Sequence, residues 1–181
     1  MKKKSSDLLT SEYMLLGLLD QKPTHGYELF KRINDAGDVG MIWRVRMSNL
    51  YAQLNKLERD GLITGALQPG DAHPARVQFS ITPQGGALFD RWLNTVVTHP
   101  RDLRPVFLLK LFFLRQRSEN KMLSDLLHSQ LAECQRWQAE IEDKSASPAA
   151  GEGFNAEFLA YRRLVIRSQV DWLIWLIDRQ D

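Results

Sequence analysis

With 181 residues, of which 44% are apolar and 25% charged, the chain has the make-up of a soluble globular protein. It is long enough for one sizeable core or two small ones. A formal net charge of +2 does not by itself demand nucleic acid, and the only cysteine, Cys134, excludes an internal disulfide and suits a reducing cytoplasm. The charge is unevenly placed. Through Thr82 there are 11 Lys+Arg against 9 Asp+Glu, and beyond it 13 against 13, so the cationic excess lies wholly in the first part.

Lys2, Lys3 and Lys4 lead into Ser5-Ser6-Asp7 without the apolar core and cleavage site of a secretory signal, and read as a solubilising tail or a basic arm. Tyr13-Met14-Leu15-Leu16-Gly17-Leu18-Leu19 reads as a short, heavily buried helix that Pro23 ends. Thr24 is placed to cap a second helix from about His25 to Asn34, with Tyr27, Leu29, Phe30 and Ile33 on its apolar side and Lys31 and Arg32 on its polar side. Asp35 to Gly40 turns the chain. Met41, Ile42, Trp43 and Val45 are unusually apolar for a connector, and Trp43 either seals the core or walls a ligand pocket. Arg44 and Arg46 flank it with planar forks suited to phosphate.

Leu50, Leu54 and Leu57 then recur at i, i+4 and i+7, one apolar stripe of a helix that Gly61 stops. The opposite face holds Ser48, Ala52, Asn55, Lys56 and Arg59, with Asn49 and Tyr51 on its flanks and no acid before Glu58. Small polar groups and cations on a leucine-anchored helix suit a DNA major groove. Ile63 to Leu67 and Arg76 to Ile81 alternate apolar with polar, as half-buried strands do, around a turn that runs from Gln68 to Ala75 and contains His73. Three helices followed by a two-stranded hairpin is the order of a winged helix, with Arg76 in the wing placed to reach the DNA backbone or minor groove.

These stretches also carry a resemblance. Leu16-Gly17-Leu18-Leu19, Thr24-His25-Gly26-Tyr27-Glu28-Leu29, Leu50-Tyr51 with Leu54, Leu57-Glu58-Arg59-Asp60-Gly61-Leu62-Ile63 and Ile81-Thr82-Pro83-Gln84-Gly85 closely resemble the PadR family over about residues 10 to 93. Phe107 to Phe113 looks like the start of that family's helical C-terminal domain. The resemblance implies a winged-helix transcriptional regulator, in most members a repressor, that acts as a homodimer and answers to phenolic acids or other aromatic effectors. Two positions depart from the family pattern. Arg46-Met47 stands where Ser, Thr or Pro is common before the recognition helix, and Ala52 stands where proline often follows the Leu-Tyr pair. Arginine is a poor cap, so either the helix begins later, at Ser48, or Arg46 itself reaches a phosphate.

Pro83 to Val97 reads as a fourth helix with Leu88, Phe89, Trp92, Leu93 and Val96 inward, and His99-Pro100 as a boundary between domains 1–98 and 99–181. Beyond it lie an apolar run from Val106 to Leu114 that Lys110 interrupts, a helix capped by Ser118 and reaching about Lys144, and a flexible connector from Ser145 to Gly153. A last helix spans about Asn155 to Arg179. Its end, Trp172-Leu173-Ile174-Trp175-Leu176-Ile177, is apolar on all sides yet far shorter than the ~20 residues that cross a bilayer. A second subunit is the simplest cover, which assigns dimerisation to Phe158, Leu164, Trp172, Leu173, Trp175 and Leu176. Attachment to an anionic membrane is the lesser reading.

The expected architecture is thus mainly α: an N-terminal winged helix-turn-helix of three helices and a two-stranded β-wing, followed by an all-α dimerisation domain. Arg44, Arg46, Lys56 and Arg76 are the expected phosphate contacts, and Ser48, Asn49 and Asn55, beside Tyr51, the expected readers of base edges. A two-fold axis implies a palindromic operator in double-stranded DNA. The four histidines stand at no metal-ligand spacing, and neither a phosphate-binding loop nor a catalytic triad is present, so no cofactor, metal or enzymatic activity is expected. A winged helix that binds a protein rather than DNA is the competing reading.

Overall fold

The computed structural model describes residues 8–37, 39–69, 76–146 and 153–180. Lys2, Lys3, Lys4, the wing-turn His73 and most of the connector after Ser145 lie outside the described residues. Two compact units divide between Leu93 and Asn94. The stretch Asn94–Thr98, placed with the first domain on sequence grounds, is bonded to the second: Val97 donates its N–H to Gln130 Oε1 at 2.8 Å and accepts from Gln130 Nε2 at 3.1 Å.

In the first unit, α1 (Thr10–Gln21) packs on α3 (Met47–Arg59), α4 (Pro83–Leu93) and strand β3 (Arg76–Ile81), so its apolar residues are buried on several sides at once. Met14, Leu15, Leu16, Leu18 and Leu19 form the centre of the core, and Tyr13 stacks on Trp92 with ring centroids 4.7 Å apart. Thr24 is not a helix cap. It lies buried in a two-residue strand, β1 (Thr24–His25), that pairs antiparallel with β3, and its hydroxyl donates to the Lys22 carbonyl at 2.9 Å. The sheet therefore has three strands in the order β1-β3-β2, with β2 at Ile63–Gln68, rather than two. Helix α2 (Gly26–Asn34) begins without a side-chain cap. Gly26, Leu29 and Ile33 are its buried residues, while Tyr27, expected on the apolar side, faces solvent.

Local hydrogen bonding sets the corners. At the end of α3, Leu62 N–H reaches the Leu57 carbonyl and Gly61 N–H the Glu58 carbonyl, with Gly61 at φ +73°, so the last carbonyls are satisfied by a left-handed glycine. At the start of α4, Thr82 Oγ1 accepts the Gly85 N–H at 3.1 Å and donates to the Gly61 carbonyl at 2.8 Å, with Pro83 following in the first helical position. Gly85 must be glycine for another reason. A Cβ there would lie 2.0 Å from the Leu62 carbonyl oxygen. Helix α4 ends at Leu93, short of the expected Val97.

The second unit enters through a 3₁₀ turn (Pro100–Asp102) and a π-helical turn (Leu103–Phe107), then α5 (Leu108–Gln116), α6 (Asn120–Ser145) and α7 (Gly153–Asp178). Ser118 does not cap α6. It holds φ +56° at the end of α5, where its N–H bonds to the Arg115 carbonyl and Glu119 N–H to the Leu114 carbonyl, the position glycine usually fills. Helices α6 and α7 pack along each other, burying Leu123, Leu126, Leu127 and Ile141 with Ile166, Val170, Leu173 and Leu176. This corrects the reading of residues 172 to 177 as a block that needs another subunit. Leu173 and Leu176 are covered by their own chain, and Trp172 meets Phe107 edge-on at 6.0 Å. Phe158, Leu164 and Trp175 remain exposed. Cys134 is buried, and burial raises its thiol to about 11. Among the described residues no helix is long and apolar enough to cross a membrane.

Candidate nucleic-acid interface

The site is built on α3. Leu50, Leu54 and Leu57 are wholly buried, which fixes the outward face as Ser48, Asn49, Ala52, Asn55 and Arg59, all exposed. The helix starts at Met47, with Arg46 in the cap position and no side-chain bond made there. Upstream, the chain runs extended into the helix. Val45 points into the core, and Asn34 Nδ2 holds its carbonyl at 3.2 Å while also donating to Phe30 at 2.9 Å. Alternation along this stretch puts Arg44 and Arg46 outside. Arg44 Nε donates to the Gly40 carbonyl at 3.4 Å, and Trp43 is half-buried beside it in sequence.

Both edges of α3 are tied down. On one, Tyr51 lies across Gly26 at the start of α2, where a Cβ would come within 2.9 Å of the ring. Glu58, the acid that ends the cation-rich face, accepts the Gly65 N–H of β2 at 2.8 Å and so joins the helix to the wing. On the other edge, Lys56 Nζ donates to both carboxylate oxygens of Glu12, at 2.7 and 2.8 Å, and Gln53 Nε2 donates to Ser11 Oγ at 2.9 Å.

Lys56 was expected among the phosphate contacts; in the structure its side chain is 30% exposed and its ammonium is paired with Glu12. Glu12 is buried to 1% exposure, and a carboxylate in that setting holds its cation firmly. Glu12 follows Thr10-Ser11 and precedes the apolar run that starts at Tyr13, so nothing in the pattern marks it as buried. In the wing, Gln68 pairs with Arg76 across β2 and β3, and Arg76 is exposed, as are Leu67 and Val77 one step inward. Among the described residues, Arg44, Arg46, Arg59 and Arg76 are exposed cations on α3, just before it, or in the wing.

Residues 15–91 match the transcriptional regulator PadR-like family. The negative transcriptional regulator PadR of Bacillus subtilis (strain 168) is 27% identical over 136 residues, which span 75% of this chain and 71% of that protein. Among solved structures, Bacillus subtilis PadR in complex with operator DNA covers 96% of this chain and 100% of its own, at 22% identity and a TM-score of 0.48. The same regulator in complex with p-coumaric acid covers 96% and 99%, at 22% identity and a TM-score of 0.41. The matched span runs from the middle of α1 through the wing to α4 and contains the whole of α3. Over that span, residues 15–91, the chain is similar to the PadR-like family of transcriptional regulators.

Proposed function

We propose that this regulator binds double-stranded DNA in sequence-specific fashion as a homodimer and represses transcription until a small aromatic effector releases it. The observation that carries the reading is the outward face of α3. It presents Ser48, Asn49 and Asn55, whose hydroxyl and amide groups can pair with base edges, around the small Ala52, with arginines at its margins. Arg44, Arg46, Arg59 and Arg76 supply the sequence-independent attraction to phosphate, and Tyr51 braces the helix against α2. The related Bacillus subtilis regulator, solved with operator DNA and with p-coumaric acid, supports the choice of DNA and of an aromatic effector.

The homodimer rests on α7. Phe154, Phe158, Tyr161, Leu164 and Trp175 are exposed along it, a far longer apolar stripe than single scattered surface residues make. A two-fold axis would set two α3 helices about one DNA turn, ~34 Å, apart and would select a palindromic operator.

The test is selection of bound duplexes from fragments of the source genome, followed by two variants. Asn49→Ala is expected to weaken binding to the selected operator by about tenfold and to leave random duplex unaffected, within the ~1–3 kcal/mol of a base contact. Arg76→Ala is expected to weaken both and to reduce the slope of log K against log salt by about 0.9. Equal loss on both duplexes for Asn49→Ala would refute its reading role, and failure to enrich any sequence would refute the function.

A further inference from the structure

We propose that the Glu12–Lys56 pair is a lock that fixes the rotation of the reading helix, so that Lys56 is a positioning residue for base recognition and not a phosphate contact. The inference rests on the DNA-binding reading above. Three leucines hold α3 to the core, but apolar contact is non-directional and sets the rotation of a helix only loosely. Hydrogen bonds set it tightly. Lys56 and Gln53 lie one turn apart on the same flank of α3, and they bond to consecutive residues of the first turn of α1, Glu12 and Ser11. Glu12 is itself held, because its Oε2 accepts the Leu9 N–H at 2.8 Å. The far flank is pinned through Glu58 to Gly65 and by Tyr51 across Gly26.

With both flanks bonded, the direction in which Ser48, Asn49 and Asn55 point is dictated by α1 and the wing. Readout of base edges by paired hydrogen bonds needs such placement, since a shift of a fraction of an ångström loses the geometry. Swinging Lys56 out to a phosphate would leave the Glu12 carboxylate buried without its cation, which the surroundings oppose. The lysine therefore stays.

The experiment uses the full chain, the operator recovered by selection and a random duplex of equal length, each titrated with salt. Replacing both partners by apolar residues, Glu12→Leu with Lys56→Met, avoids a lone buried charge and keeps the volume filled. The double variant is expected to bind random duplex with the wild-type salt slope and to lose about tenfold in operator preference. Lys56→Arg, which can pair with Glu12 again, is expected to keep the preference. Gln53→Ala, which removes the other bond alone and serves if the double variant does not fold, is expected to lower the preference about threefold at an unchanged slope. A slope reduced by about 0.9 in the double variant would make Lys56 a phosphate contact, and an unchanged preference would make the pair a stability element only; either result overturns the proposal. If the wild type shows no operator preference, the DNA reading falls. Amide exchange across α3 then judges the lock separately: faster exchange in the folded double variant supports it, and unchanged exchange refutes it.

Discussion

Lys110 offers the most informative single substitution in the second unit. Its side chain is 1% exposed, inside the apolar run of α5, and Nζ donates to the backbone carbonyl of Thr95 and, at 2.9 Å, to Thr95 Oγ1. Burial lowers its ammonium from 10.5 to about 7. Between those two values the unfolded chain binds a proton that the folded chain does not, so stability rises with pH across that window and levels off below about 7. At neutral pH the displacement corresponds to roughly 4 kcal/mol against the folded state, and the part recovered between pH 7 and pH 9 is about 2 kcal/mol. Lys110→Met keeps the length of the side chain and removes the charge. The Thr95 groups it abandons belong to an exposed residue and can turn to water, which limits the loss to about 1 kcal/mol.

The net expectation for Lys110→Met at pH 7 is a second unit more stable by about 1–3 kcal/mol, or a Tm higher by roughly 4–20 °C. Thermal denaturation of wild type and variant at pH 7 and pH 9 measures it, with amide exchange in α5 to assign the change to this unit. The gap between the two proteins should narrow by about 2 kcal/mol at the higher pH. Cys134, raised by burial to about 11, acts in the opposite direction above pH 9 and is common to both proteins. A variant that melts lower than wild type at pH 7, or a gap that does not change with pH, would refute the reasoning.

Two further substitutions probe the fold and the assembly. Gly85→Ala drives a methyl into the Leu62 carbonyl at 2.0 Å, with Ile81 Cγ1 at 3.0 Å behind it, and is expected to destabilise the first unit by about 1–3 kcal/mol in denaturant titration. Gly86→Ala next to it meets nothing within 4 Å and should be neutral or slightly stabilising, which makes it the matched control. Leu164→Glu with Trp175→Glu changes side chains that are 66% and 48% exposed, so the monomer should stay folded, with about 1 kcal/mol lost with the Arg179 guanidinium that lies 4.3 Å from the Trp175 ring. In sedimentation the wild type is expected to run as a dimer at micromolar concentration and the variant as a monomer; a wild-type monomer, or a variant dimer, would remove α7 from the proposed interface.

Much of the first unit could be read from residue pattern. Leu50, Leu54 and Leu57 mark the buried side of α3, Gly61 marks its end, and the period-two stretches on either side of the wing turn mark β2 and β3, because each of these signals is local. The misses share a physical origin. Strand β1 is two residues long, too short for any alternation to register, and exists only because β3 offers it an edge. Thr24 and Ser118 looked like caps because their side chains suit that role, yet one is claimed by the sheet and the other by the left-handed end of α5. Leu173 and Leu176 could not be divided from Trp175 without knowing where α6 lies.

Three polar residues in apolar surroundings repay a closer look: Glu12, Lys110 and Gln130. A core sequence gains nothing from a charge or an amide unless it is bonded, so each implies a specific partner somewhere distant in the chain. The partners are Lys56, Thr95 and Val97, at separations that pattern reading cannot span. Each bond ties down an element: α3 in the first unit, and the segment Asn94–Thr98 in the second. Lys110 holds that segment near its start and Gln130 near its end, from two different helices. Of the three, only Lys110 stands in an apolar run of the sequence; Glu12 follows Thr10-Ser11 and Gln130 follows His128-Ser129, so their burial shows only in the fold.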